Sequence, residues 1–326
     1  MQVDKQNIKP FRFVPYLKSV LWGGSRIADY KGISVDRADI GESWELSGVP
    51  GHESVVADGE DKGLNIVQLI SKYKEKLVGK AVYEQFGTTF PLLVKFIDAK
   101  RDLSLQVHPD DMLAKTRHNS FGKTEMWYVI EAEAEAKIYA GMSHDITPEE
   151  YEQGVTDGSI LNAVRCHVSH PGDIFFLPAG RIHAIGAGNL LAEIQQTSGI
   201  TYRIYDYGRL DADGKPRELH TDFARDAIDF NVSDCLCKCK HDAVGENKLV
   251  KCKYFDVRGV NVVGKHEIDL SHQDSFEIVM CLKGNVELLD NFGNVTPMHQ
   301  GETLLLPAVT DTVSLTGNGY LLTATV

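Results

Sequence analysis

The chain lacks any surplus of positive charge. Its 326 residues carry 34 Lys and Arg against 46 Asp and Glu, a formal net charge of −12, and the basic residues are scattered. That balance excludes nucleic acid as the expected partner, because polyanion-binding surfaces concentrate Lys and Arg on one face. Long apolar runs are missing as well. No stretch is long enough to cross a bilayer, and the opening MQVDKQNIKPFRFVPYLKSVLWGG has no apolar core of signal-peptide character. A cytoplasmic enzyme or binding protein with no membrane partner is the expectation. Six cysteines are too few for a disulfide scaffold. Cys235, Cys237 and Cys239, with Cys252 beyond them, invite a structural zinc, but C-x-C-x-C spacing stacks three thiols on one strand face, and buried reduced thiols are expected instead. Neither G-x-G-x-x-G nor a P-loop pattern occurs, so nothing calls for a dinucleotide or a nucleoside triphosphate.

What is present is an ordinary globular composition, 43% hydrophobic and 25% charged, with short strands punctuated by Gly, Pro and Asn. Two helical segments interrupt them. LNIVQLISKYKEKL (64–77) places Leu64, Val67, Ile70, Tyr73 and Leu77 on one stripe, with Asn65 as a cap. Thr147-Pro148-Glu149-Glu150 carries a capping Thr, a Pro at the first helical position and a Glu three residues on, and a short second helix is expected over 157–164. The strands repeat. PGDIFFLPAGRIHAIGAG (171–188) matches QGETLLLPAVTDTVSLTG (300–317), and each follows a strand pair, EMWYVIEAEAEAKIY (125–139) or EIVMCLKGNVELL (277–289). Duplication of this kind predicts a mainly β protein of two similar barrels. The first spans 1–235 with helical insertions near 64–78 and 147–165, and the second spans 236–326.

In LSLQVHPDD (103–111), strict alternation predicts Leu103, Leu105 and Val107 on a packing face and Ser104, Gln106 and His108 on the other, with Asp110 and Asp111 turning the chain. The segment Gly172-Asp173…Pro178-Ala179-Gly180…His183 resembles the second motif of the cupin superfamily, whose jelly-roll barrels hold a metal. The matching first motif puts two ligands at i and i+2 ahead of a Glu, positions that Gln106, His108 and Glu125 fill. The Q-x-H-P pair, the K-x-E of GKTEMWY and the long spacing between them resemble the type I mannose-6-phosphate isomerases in their short bacterial form. LWGG (21–24), GESWELSG (41–48), FPLLVKFIDA (90–99) and QQTSGITYRIYDYGR (195–209) extend the likeness over residues 10 to 230.

Two imidazoles, a carboxylate and an amide oxygen suit one divalent cation acting as a Lewis acid. The resemblance implies zinc, whereas the donors alone would also accept manganese, cobalt, nickel or iron. It further implies that an aldose and a ketose phosphate are interconverted by moving a proton between C1 and C2, with a sugar phosphate as the partner. Arg203 matches the family's active-site arginine, its alternative being a salt bridge to Asp206. Glu193 stands ten residues before it as a proposed base does, and apolar neighbours would raise its pKa, although a packed strand carboxylate explains it nearly as well. Lys123, two residues before Glu125, is placed with these catalytic groups. Lys95, Ser104 and Arg209 are candidates for holding the substrate, with a solvated face as the alternative for Arg209. Trp22 and Trp44 are candidates for the pocket wall. His118, His144, His167, His170 and His220 are read as structural or surface residues. In the second barrel Leu270 and Thr312 replace two of the ligand positions, leaving His272 and Glu277, so a metal-free barrel is expected. A different cupin sugar-phosphate isomerase, or a carbohydrate-sensing cupin without turnover, fits the same motifs less completely.

Overall fold

The structure is a computed structural model and describes residues 7–326 except Ala212 and Lys240; residues 1–6 of the expected first segment lie outside the described residues. Three antiparallel sheets organise it. A six-stranded sheet runs in the order Ile174–Leu177, Glu125–Ala132, Asn189–Gln196, Leu92–Ala99, Ile40–Ser47 and Tyr16–Gly24. A five-stranded sheet runs Tyr202–Tyr205, Leu105–Val107, His183–Ile185, Lys137–Met142 and Val164–Val168. Trp127, Val129, Leu191 and Ile97 of the first pack with Ile138, Ala140 and Ile185 of the second, closing the expected N-terminal barrel.

The third sheet, of eight strands, contains Asp256–Asp269, Glu277–Asp290 and Thr312–Thr325. Its own core includes Val260, Val279, Leu304 and Leu321. The sequence repeat survives as a structural one: Glu125 pairs with Leu177 and Glu277 pairs with Leu306, each ahead of a Pro-Ala turn. The chain's first strand, Phe11–Val14, pairs with Thr303–Leu306 and so is built into the sheet of the last segment.

The strands Leu92–Ala99 and Asn189–Gln196 are buried along their whole length. Their inner face lines the barrel, while Val94, Phe96, Ala192 and Ile194 on the outer face pack with Phe255, Ile278, Met280 and Leu322 of the C-terminal sheet. Burial of both faces explains why these two strands read as nearly unbroken apolar runs. The charged residue in the middle of each, Lys95 and Glu193, is therefore forced into the barrel.

The helix expected over 64–77 forms as two pieces. Ile66–Tyr73 starts on a capping box between Asn65 and Gln68, and Lys74, at φ 51°, breaks it ahead of Glu75–Val78. Pro148–Asp157 begins at Thr147 with the expected capping box, and Ser159–Ala163 is a 3-10 turn. Helices Arg26–Lys31, Lys80–Phe86, Asp111–His118 and Thr221–Ala227 went unforeseen, being too short to show a period. Two readings are corrected. Leu103 lies ahead of the strand and packs inside the barrel with Trp127 rather than beside Leu105 and Val107. Asp110 does not end in a simple turn but caps the helix Asp111–His118, accepting from Leu113 N at 2.8 Å. Cys235 to Cys239 form no regular strand, and burial pushes the Cys235 thiol up to about 12.

Candidate active site

Strand alternation aims one set of side chains into the N-terminal barrel. Glu125, Trp127, Glu193 and Lys95 come from three adjacent strands of the six-stranded sheet, where Glu193 stands opposite both Lys95 and Trp127. Across the barrel, Gln106 is opposite His183 in one ladder and opposite Arg203 in the other. These residues surround a cavity of about 340 Å³, whose wall includes Gln106, Glu125, Glu193, Lys95, Lys123 and Arg203.

At its base His108, Glu125 and His183 converge, with ligand atoms all within 4.8 Å of one another. Among the described residues this is the one grouping of His, Cys, Asp and Glu side chains so arranged. His108 Nε2 is 3.4 Å from Glu125 Oε2, and His183 Nε2 is 3.2 Å from Glu125 Oε1. His183 Nδ1 donates to the Arg181 carbonyl at 2.9 Å, which fixes the tautomer and leaves Nε2 as a lone pair facing the cluster. Gln106 Nε2 lies 3.2 Å from that same nitrogen, and half a turn of the amide presents its oxygen there instead.

Both ring nitrogens of His108 and both carboxylate oxygens of Glu125 are buried without a hydrogen bond, the Lys123 ammonium 3.0 Å from Glu125 Oε2 being an ion-pair contact only. Orphaned buried donors of this kind are costly unless a cation satisfies them, so the residues fit a divalent metal. Their ionisation agrees. Burial, and next the Lys123 ammonium, hold His108 down to about 3, so its imidazole is neutral, the form that can bind a cation. Burial pushes Glu125 up, but Lys123, His108 and His183 outweigh it and keep the carboxylate well below its usual range.

Above the cluster lies a buried network of alternating charge. Lys123 Nζ reaches Glu125 at 3.0 Å and Glu193 at 3.8 Å, and Lys95 Nζ reaches Glu42 at 3.4 Å and Glu193 at 3.7 Å. Trp44 Nε1 donates to Glu42 at 2.7 Å. Burial raises Glu42, yet Lys95 and Lys18 more than reverse it, taking the carboxyl down to about 2. Glu193 goes the other way: burial, with Glu125 and Glu42 adding to it, outweighs Lys95 and Lys123 and lifts it to about 7. Its Oε1 accepts no hydrogen bond.

Ser104 is buried in the cavity wall, as are Trp22 and Trp44. Arg203 does not pair with Asp206. Its Nη1 donates to the Glu218 carbonyl at 2.7 Å, its Nε is unpartnered, and burial, then Arg217, lowers its pKa. Arg209 is not brought to the wall, because Asp206 and the carbonyl of Asp102 occupy its guanidinium. Arg217 and Lys18 line the cavity in its stead. Glu42 was missed, although its signal was legible: in GESWELSG a carboxylate sits two residues from Trp44 within an otherwise buried strand. Of the five histidines set aside, none joins the cluster; His118 and His220 contact Tyr202 and the Arg203 amide respectively.

A duplicated cupin frame with a His-carboxylate-His cluster at the base of a polar cavity defines a metal-site cupin. The family model for the phosphomannose isomerase type I catalytic domain matches residues 11–153, and that for the mannose-6-phosphate isomerase cupin domain matches 245–326. A mannose-6-phosphate isomerase of Bacillus subtilis is 35% identical over 303 residues, covering 92% of this chain and 93% of its own. One from Streptococcus mutans is 37% identical over 209 residues, 64% of each chain. The crystal structure of a Bacillus subtilis mannose 6-phosphate isomerase superposes with a TM-score of 0.87 at 32% identity, covering 97% of this chain and 99% of that one. The chain belongs to the type I phosphomannose isomerase family.

Proposed function

We propose that the protein interconverts mannose 6-phosphate and fructose 6-phosphate by moving a proton between C1 and C2 of the open-chain sugar, with zinc as its resident metal. The reading rests on one observation above all: the unpartnered ring nitrogens of His108 and carboxylate oxygens of Glu125, gathered with His183 Nε2 and the Gln106 amide about a common centre under a cationic cavity. When bound, a divalent cation supplies Lewis-acid stabilisation of negative charge developing on the substrate oxygens.

This chain's residues do the rest. Glu193 removes the proton beside the carbonyl and returns it to the neighbouring carbon, a role that suits a carboxyl titrating near pH 7. Arg203 opposes charge on the enediolate oxygen from the facing sheet. Lys123 keeps Glu125 ionised and, with Lys95, limits how far burial raises Glu193. Ser104 and Lys95 hold polar groups of the substrate, and Arg209 supports the loop that carries Asp206 rather than the phosphate. Catalysis belongs to the segment 1–235, whose strand Phe11–Val14 is nonetheless built into the C-terminal sheet, and 236–326 is a metal-free companion, in which Leu270 is buried and His272 is turned out to solvent. Among the described residues no helix is long and apolar enough to cross a membrane. All six cysteines are free thiols, the state a reducing cytoplasm maintains.

Purified protein assayed for metal content and for conversion of mannose 6-phosphate to fructose 6-phosphate tests the reading. It predicts one zinc per chain and turnover that disappears in His183→Ala. A wild type that is metal-free and inert toward hexose phosphates overturns it.

A further inference from the structure

Lys123 and Glu125 flank Thr124, and the backbone of Thr124 is gripped on both sides by one residue. Its N–H donates to Gln196 Oε1 at 2.9 Å, and its carbonyl accepts from Gln196 N at 3.1 Å. The Thr124 hydroxyl accepts from Ala179 N in the turn leading to His183. Gln196 is held in turn, since its Nε2 donates to Asp111 Oδ1 at 3.0 Å. That same oxygen accepts from Gly122 N at 3.0 Å, so Asp111 secures the backbone ahead of Lys123 directly and the backbone after it through Gln196. Only glycine fits at 122, because a Cβ there would lie 2.6 Å from the Asp110 carbonyl carbon and from Asp111 N. The second carboxylate oxygen of Asp111 accepts from the Tyr254 hydroxyl at 2.8 Å, across 143 positions of sequence, with Lys253 3.7 Å away.

We propose that Asp111 and Gln196 are positioning residues that set the directions in which Lys123 and Glu125 leave the backbone, and that Tyr254 ties this clamp to the C-terminal segment. Side chains at i and i+2 of a strand take their direction from the peptide groups between them, so fixing both hydrogen-bonding groups of Thr124 fixes the two charged neighbours together. Asp111 suits this role because it stays ionised. Burial raises its carboxyl, but the bonds from Tyr254, Gln196 and Gly122 outweigh that and hold it below its ordinary value. None of the three clamp residues lines the catalytic cavity. The kinetic part of the inference rests on the isomerase reading; the metal-binding part does not.

The test compares wild type, Asp111→Ala, Asp111→Asn and Tyr254→Phe as full chains. It measures kcat and KM for mannose 6-phosphate, zinc affinity in competition with a chelator, and the melting temperature. In Asp111→Ala both kcat and zinc affinity should fall by about 10- to 100-fold, the usual cost of removing a group that orients a ligand, with KM little changed. Asp111→Asn, whose amide oxygen still accepts from Gly122 and Gln196, should recover most of both, and Tyr254→Phe should show a smaller loss in the same sense. A folded Asp111→Ala with wild-type zinc affinity and kcat overturns the proposal, as does Asp111→Asn being no better than Asp111→Ala. Should Asp111→Ala fail to fold, Tyr254→Phe decides alone, and unchanged zinc affinity and kcat there overturn it. An inert wild type refutes the isomerase reading and leaves the zinc measurement to judge the clamp.

Discussion

Lys95 and Glu193 face each other across neighbouring strands, Nζ 3.7 Å from Oε1, each a charge in the middle of an apolar run. Burial pulls the Lys95 ammonium down, but Glu193, Glu42 and Glu125 together hold it above its ordinary value, so it stays charged beside a carboxyl that titrates near neutrality. If Glu193 is the base, Glu193→Gln should lower kcat by about 100- to 10,000-fold, with zinc content unchanged. Steady-state kinetics paired with metal analysis checks both halves, and loss of the metal would point to a structural role instead.

The pH profile carries a sign. Glu193 accepts a proton only when ionised, so kcat/KM should rise with pH through its titration. Without metal that carboxyl titrates at about 7, and a nearby dication lowers it, so the rising limb of the loaded enzyme belongs below pH 7. Lys95→Met removes a charge that favours the carboxylate and should move the limb to higher pH.

Metal binding should register as stability. A cation that binds only the folded chain contributes about 2.7 kcal/mol at a hundredfold excess over its Kd. A chelator should therefore lower the melting temperature of wild type and leave His183→Ala unaffected. Equal shifts in the two proteins would show that the cation sits elsewhere.

Glu277, the counterpart of Glu125 in the second barrel, is fully buried, and burial lifts it to about 7 against bonds from Gln273 and Thr323. Its folded pKa lies above the unfolded one. Its stabilising contribution is therefore complete below about pH 4.5 and is lost as pH rises through about 7. Glu277→Gln should be more stable than wild type at pH 8, by at most about 3 kcal/mol, and indistinguishable at pH 4. Denaturant melts at the two pH values decide it.

Much of the site was legible because motif spacing is a chemical constraint: Gln106, His108, Glu125 and His183 could be read together, and Lys95 and Glu193, charged within apolar strands, announced themselves. What escaped depends on where loops return. Arg209 was expected to face the substrate, but Asp206 and the Asp102 carbonyl claim its guanidinium, while Arg217, eight positions on, reaches the cavity. The duplicated barrel was readable from repeated Gly-acid and Pro-Ala punctuation. The pairing of Phe11–Val14 with the last sheet was not, since nothing in a four-residue strand specifies a partner nearly three hundred residues away.

The strands that present Lys95 and Glu193 to the cavity rest their opposite side on the C-terminal sheet. One pair of strands thus carries the cavity's charged groups on one face and the contact with the C-terminal sheet on the other, with only its own backbone separating the two. Loss of the C-terminal sheet would lay bare Val94, Phe96 and Ile194, and any repacking there would be transmitted, one residue along, to Lys95 and Glu193.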